Sequence, residues 1–202
     1  MKKIIVALAF FTFANSANSA DYQTFDLSYN KVMAKSLTDG QGSTYYSDPD
    51  DNSFGVGWAW GHNLQNDVRT ETEFKYNTDA DLNIFAGGTL EVSSISLMQS
   101  IYKDIPTGSG NFIIGAGAGI ARTMVDTNYS LSGVTFNGSK DNDELVYHLS
   151  VGFAPSNNVE ILLRHTDYGN VAGGSGTASD SSTYYADKFD HKVQSLTIRY
   201  KY

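Results

Sequence analysis

From residue 54 onward, apolar and polar side chains alternate with a period of two, segment after segment. Residues 54–61 put Phe54, Val56, Trp58 and Trp60 on one face and Gly55, Gly57, Ala59 and Gly61 on the other. Residues 68–76 put Val68, Thr70, Thr72, Phe74 and Tyr76 opposite four charges, Arg69, Glu71, Glu73 and Lys75. Residues 112–123 set Ile114, Ala116, Ala118 and Ile120 against Gly115, Gly117, Gly119 and Ala121. Residues 144–153 set Leu145, Tyr147, Leu149, Val151 and Phe153 against Val146, His148, Ser150 and Gly152. The chain ends the same way, with Leu196, Ile198, Tyr200 and Tyr202 opposite Thr197, Arg199 and Lys201. Further strands are read at 22–33, 159–168 and, with weaker alternation, 90–103. That makes eight.

The connections between them alternate in length. Short turns fall at 62–67, 104–111 and 154–158, and long loops at 35–52, 77–89, 124–143 and 169–191. The pattern predicts an all-β fold, an eight-stranded antiparallel up-and-down transmembrane β-barrel. Its apolar face meets lipid, its polar face lines a lumen, and its two ends lie on one side. Closure satisfies every backbone group that hydrocarbon cannot. A soluble lipid-carrying barrel also alternates, with its apolar face inward. It would leave Gly55, Gly57, Gly115, Gly117 and Gly119 on its surface, weakening strands without gain. Turned inward, the same glycines leave room for long side chains.

The first twenty residues are different. Met1-Lys2-Lys3 is basic, 4–14 is apolar but too short to span a bilayer, and 15–20 is small and polar. This is the plan of a cleaved signal peptide, which leaves 21–202 as a single barrel domain. The formal net charge of −8 becomes more negative when Lys2 and Lys3 are removed, and so acidic a chain argues against nucleic-acid binding. There is no cysteine, which rules out disulfides, a thiolate nucleophile and a cysteine-bound zinc.

Four stretches carry a resemblance. They are 96–107 (Ser-Leu-Met-Gln-Ser-Ile-Tyr-Lys-Asp-Ile-Pro-Thr, with Ser100 where asparagine is more usual), the glycine-rich 115–121, 162–169 (with Leu163 and His165 in place of tyrosines) and the terminal Arg199-Tyr200-Lys201-Tyr202. From 54 onward the strands, though not the long loops, resemble the small outer-membrane β-barrels of the opacity and attachment–invasion type, related in plan to the OmpX and OmpA barrels. The resemblance implies a Gram-negative outer membrane with its lipid and lipopolysaccharide. It also implies a C-terminal strand, Tyr200 and Tyr202, that the barrel-assembly machinery reads.

The inward face defines the candidate site, a charge network of Arg69, Glu71, Glu73, Lys75, Glu160, Arg164, Arg199 and Lys201. An eight-stranded barrel holds side chains and little else, so these charges are expected to pair and plug the lumen. A gated solute path is the sharper reading. His148 and Ser150, with Glu160 downstream, suggest a Ser–His–acid hydrolase, but the pair points inward, away from any lipid substrate. The four histidines lack metal-ligand spacing, Gly115–Gly119 lacks the third glycine and the helix of a dinucleotide site, and no cofactor is expected. Asp48, Asp50 and Asp51 are calcium-ligand types without EF-hand spacing. Trp58, Trp60, Tyr76, Tyr200 and Tyr202 fit interfacial girdles. The loops, rich in Ser, Gly and Asn with tyrosine pairs at 45–46 and 184–185, have the composition of a binding surface. A host or matrix ligand is the expected partner, and the protein is expected to be no enzyme.

Overall fold

The computed structural model describes residues 20–43, 48–85 and 87–202, the side chain of residue 85 apart. All but the last residue of the expected leader, and the tyrosine pair at 45–46, lie outside them. Among the described residues no helix is long and apolar enough to cross a membrane, and the crossing is made by strands. They are β1 (Tyr22–Thr38), β2 (Asp50–Asn63), β3 (Val68–Phe85), β4 (Gly88–Thr107), β5 (Gly110–Leu131), β6 (Val134–Ala154) and β7 (Val159–Ala172). A two-stranded hairpin follows, β8 (Gly176–Thr177) and β9 (Thr183–Tyr184), and then β10 (Lys188–Lys201). The eight long strands form a closed barrel in the order β1-β10-β7-β6-β5-β4-β3-β2. The last strand meets the first in register, Asp26 opposite Arg199 and Leu27 opposite Ile198. Two backbone bonds seal the seam at its end, Gln23 N–H to the Tyr202 carbonyl at 2.9 Å and Tyr202 N–H to the Gln23 carbonyl at 3.0 Å.

The greasy face is outward on all eight strands. Leu145 and Leu149 are each 66% exposed and Phe54 65%, while Arg69, Glu71, Glu73 and Arg199 are at most 1% exposed. Such exposure is untenable in water and suits hydrocarbon. On each strand the outward apolar run ends at a definite residue. Tyr29 gives way to Lys31, Phe54 to Asn52, Ile120 to Arg122, Leu145 to Asp143 and Leu163 to His165. The run on β5, 112–120, matches the roughly 9–11 residues a tilted strand needs to cross a bilayer. We call the end carrying Tyr22 and Tyr202 periplasmic, following the outer-membrane plan.

The strands are longer than the bilayer requires, and here the structure departs from the sequence reading. Segments 77–89 and 124–143 are not loops. β3 runs on to residue 85 and β4 begins at Gly88, and β5 and β6 run on to a turn at Ser132–Gly133. In this overshoot the alternation inverts. Asp81, Asn83, Asp126 and Asn128 point to water, and Ala80, Leu82, Ile84, Leu90, Val92 and Val125 point inward. A bulge between Asn77 and Ala80 shifts the parity of β3, so that inward residues are odd-numbered below it and even-numbered above. The barrel is therefore two-tiered, with a charged interior inside an apolar band below and an apolar interior inside a polar wall above.

Candidate functional site

The lower interior is built by four strands that each project a charge onto the same level. β3 supplies Arg69, Glu71, Glu73 and Lys75, β7 supplies Glu160 and Arg164, β10 supplies Arg199, and β1 supplies Asp26. Arg199 is the hub. Its Nε and Nη2 donate to the two oxygens of Asp26 at 2.9 and 2.7 Å, its Nη1 to Glu71 at 2.6 Å, and its Nη2 also to Glu73 at 3.0 Å. Arg164 forks onto Glu73 at 2.6 and 2.8 Å. Arg69 joins Glu71 at 2.7 Å and Glu160 at 3.0 Å, and reaches Asp104 at the periplasmic rim at 3.3 Å. Four buried carboxylates (Asp26, Glu71, Glu73, Glu160) face four buried cations (Arg69, Lys75, Arg164, Arg199), so the plug is neutral, as burial demands. Lys75 makes no ion pair among the described residues and lies in the field of Glu73 and Asp26. Lys201 stands at the rim, its ammonium 4.3 Å from the Tyr22 ring centroid.

Two tyrosines complete the plug, and the sequence reading missed both, along with Asp26. Among the described residues Tyr102 makes no hydrogen bond to a carboxylate. Its ring lies 4.8 Å from the Arg69 guanidinium and 5.5 Å from that of Arg199, and its hydroxyl accepts from Arg164 at 2.9 Å. Tyr22 donates to Glu71 at 2.8 Å. Their rings occupy the space over glycines directly across the ladder. Tyr102 pairs with Gly115 and Tyr22 with Gly61, and a Cβ on either glycine would overlap the ring. At Gly61 and Gly115 the missing side chain thus makes room for a neighbouring ring. His148 and Ser100 do the same over Gly117.

The hydrolase geometry does not form. His148 Nε2 is 2.9 Å from Ser100 Oγ, not Ser150, and Glu160 is taken by Arg69. Among the described residues no group of three or more His, Cys, Asp or Glu side chains gathers around a metal site. The carboxylates at 48–51 are engaged elsewhere: Asp48 by Lys35 at 3.2 Å, Asp50 by Lys31 at 3.1 Å, and Asp51 by the Asp81 amide at 2.9 Å.

Above the plug, residues 173–187 pack against the upper parts of β5 and β6. Gly173 N–H reaches the Asp187 carbonyl at 2.9 Å, Gly174 N–H reaches Thr127 at 2.9 Å, and Ser179 N–H reaches the Thr135 carbonyl at 2.9 Å. Tyr184 stacks on Phe136, their centroids 4.4 Å apart, and donates to Asp187 at 2.8 Å. At the outer tip of this segment, the Ser182 hydroxyl and amide hold Asp180 below the ordinary carboxylate range. A concavity of about 930 Å³ lies on the outer wall instead, lined mainly by outward residues such as Tyr29, Ile101, Leu149, Leu163 and Leu196. Tyr200 and Tyr202 stack outward at 6.1 Å, and Trp58 packs on Tyr202 at 5.8 Å while its indole N–H donates to Gln23 at 3.1 Å, a girdle at the periplasmic interface.

No family model matches the sequence, and no curated protein matches it. Solved structures do match in fold. The chain is similar to the outer membrane protein OprG from Pseudomonas aeruginosa, with a TM-score of 0.56, 14% identity, and coverage of 91% of this chain and 96% of that one. It is similar to Ail, the attachment invasion locus protein of Yersinia pestis, solved with the heparin analogue sucrose octasulfate, with a TM-score of 0.53, 13% identity, and coverage of 90% and 98%. It is likewise similar to the outer membrane protein AlkL, with a TM-score of 0.52, 13% identity, and coverage of 90% of each chain. The fold is that of the small eight-stranded outer-membrane β-barrels.

Proposed function

We propose that this protein is a non-enzymatic surface protein of the Gram-negative outer membrane, adhesin-like or envelope-structural, acting through its extracellular end. The observation that carries the reading is the filled interior. The Arg199-centred ion pairs, the apolar tier above them and segment 173–187 fill the interior with packed side chains, which supports a plug over a conduit. What such a barrel offers is its outer surface and its loops. The charge network Arg69, Glu71, Glu73, Lys75, Glu160, Arg164, Arg199 and Lys201 serves as a rigid pillar rather than a conduit. A leader at 1–20 delivers the chain to the periplasm, and the terminal strand, with Tyr200 and Tyr202, is the segment the assembly machinery reads. Lipid and lipopolysaccharide are the surrounding partners, and a host or matrix ligand meets the loops.

The test is a binding screen of cells displaying the intact barrel against cells whose segment 174–186 is replaced by a short turn. Loss of adhesion with an unchanged heat-modifiable gel shift supports the adhesin reading. Equal adhesion with altered envelope integrity supports the structural one. Solute-dependent planar-bilayer conductance overturns both in favour of a channel, and loss of acyl chains from lipid A overturns them in favour of a hydrolase.

A further inference from the structure

We propose that the lipid-facing surface of β3, β4 and β5 is a self-association face, on which a second copy of this chain docks within the membrane through Gln99. The outer wall is uneven. Across β6, β7, β10 and β1 the mid-depth residues are bulky and apolar, such as Leu149, Leu163, Ile198 and Leu27. On β3–β5 the corresponding row reads Thr72, Gln99, Ala118, paired directly across the ladder. Gln99 is exposed and midway along β4 between the polar residues that bound its outward run, Ser93 and Lys103. Thr72 donates to its carboxamide oxygen at 2.7 Å, and no other described residue meets the amide. Its N–H groups therefore face hydrocarbon, where an unmade hydrogen bond costs most.

Symmetry selects the occupant. Two copies inserted in the same direction are related by a two-fold axis along the membrane normal, which brings residues of equal depth together. A carboxamide is complementary to itself, since each N–H can donate to the other's oxygen. The axis near Gln99 turns the β3 side of one copy toward the β5 side of the other, with Thr72 and Ala118 flanking each amide. Small residues there let the walls approach closely enough for the amides to meet, and packing with interhelical-type polar contacts is what drives association in lipid.

The chain has no cysteine, so Ile101→Cys, exposed two residues along β4 from Gln99, gives a single-thiol protein that keeps the amide. The full barrel is folded into phosphatidylcholine nanodiscs large enough for two copies and treated with a short bis-maleimide. Leu163→Cys, on another wall, is the collision control. The expected result is a cross-linked dimer at position 101 in several-fold higher yield than at 163. In an uncrosslinked measurement, Förster transfer between labelled copies falls several-fold for Gln99→Leu and is retained by Gln99→Asn, with the heat-modifiable shift of all variants intact. Equal cross-linking at both positions, or undiminished transfer in Gln99→Leu, overturns the proposal.

Discussion

Arg199 on the last strand grips Asp26 on the first through two parallel bonds of 2.9 and 2.7 Å, so the plug and the barrel seam are one structure. The two residues are register partners across the closing ladder. Removing the guanidinium leaves Asp26, Glu71 and Glu73 together in a dry interior. Arg199→Ala should cost about 3–5 kcal/mol, the range for breaking a buried pair by removing one partner. Arg199→Lys should restore little of it, because one ammonium cannot make the fork to Asp26 while also reaching Glu71 and Glu73. The readout is the temperature of the heat-modifiable gel shift in detergent. A variant melting with the parent would show that the network does not hold the seam.

The Glu71→Ala, Glu73→Ala double variant tests the same plug from the acidic side. It strands Arg164, whose two carboxylate bonds both go to Glu73, and takes from Arg199 two of its four carboxylate partners. The melting temperature should fall steeply. An unchanged one would mean that the charges are solvated independently and the lumen is wetter than its packing implies.

The glycine line makes a sharper prediction. A side chain at Gly115 collides with the Tyr102 ring, which lies under two guanidinium groups. Gly115→Val should therefore fold in poor yield, or melt well below the parent. At Gly108, in the periplasmic turn between β4 and β5, nothing lies near an added Cβ, and Gly108→Ala should be neutral within about 0.5 kcal/mol, as for substitutions away from such features. Comparing folded fractions of the two separates lumen crowding from a general intolerance of glycine loss.

The lower tier was legible in sequence because apolar and charged residues alternate there without interruption, as in Val68 to Tyr76. Asp26 lay on the correct face but has Thr24 and Ser28 as neighbours, so nothing local marked it as the anchor of Arg199. Tyr102 fell in the strand with the weakest alternation. The upper tier was misread for a physical reason. Ala80-Asp81-Leu82-Asn83-Ile84 alternates well, but in the opposite phase, because water replaces lipid outside and apolar side chains fill the inside. The bulge after Asn77 then hides the change by shifting parity. An alternating run beyond the expected membrane boundary was the available signal that these segments were strands and not loops.

That inversion has a measurable consequence. Phe189 is fully buried in the apolar tier, packed in one cluster with Leu37, Leu82 and Val171. Phe189→Ala should cost about 3–5 kcal/mol locally, the usual range for truncating a buried aromatic residue. The loss should stay local, because the plug below it is a separate set of contacts and proteins open in cooperative units. Hydrogen exchange of the barrel in nanodiscs should then show faster exchange for the upper residues of β10 and of the strands that carry its cluster partners, β1, β3 and β7. Amides flanking Arg199 and Glu73 should keep their protection. Uniform loss of protection along the strands would mean that the two tiers open as a single unit.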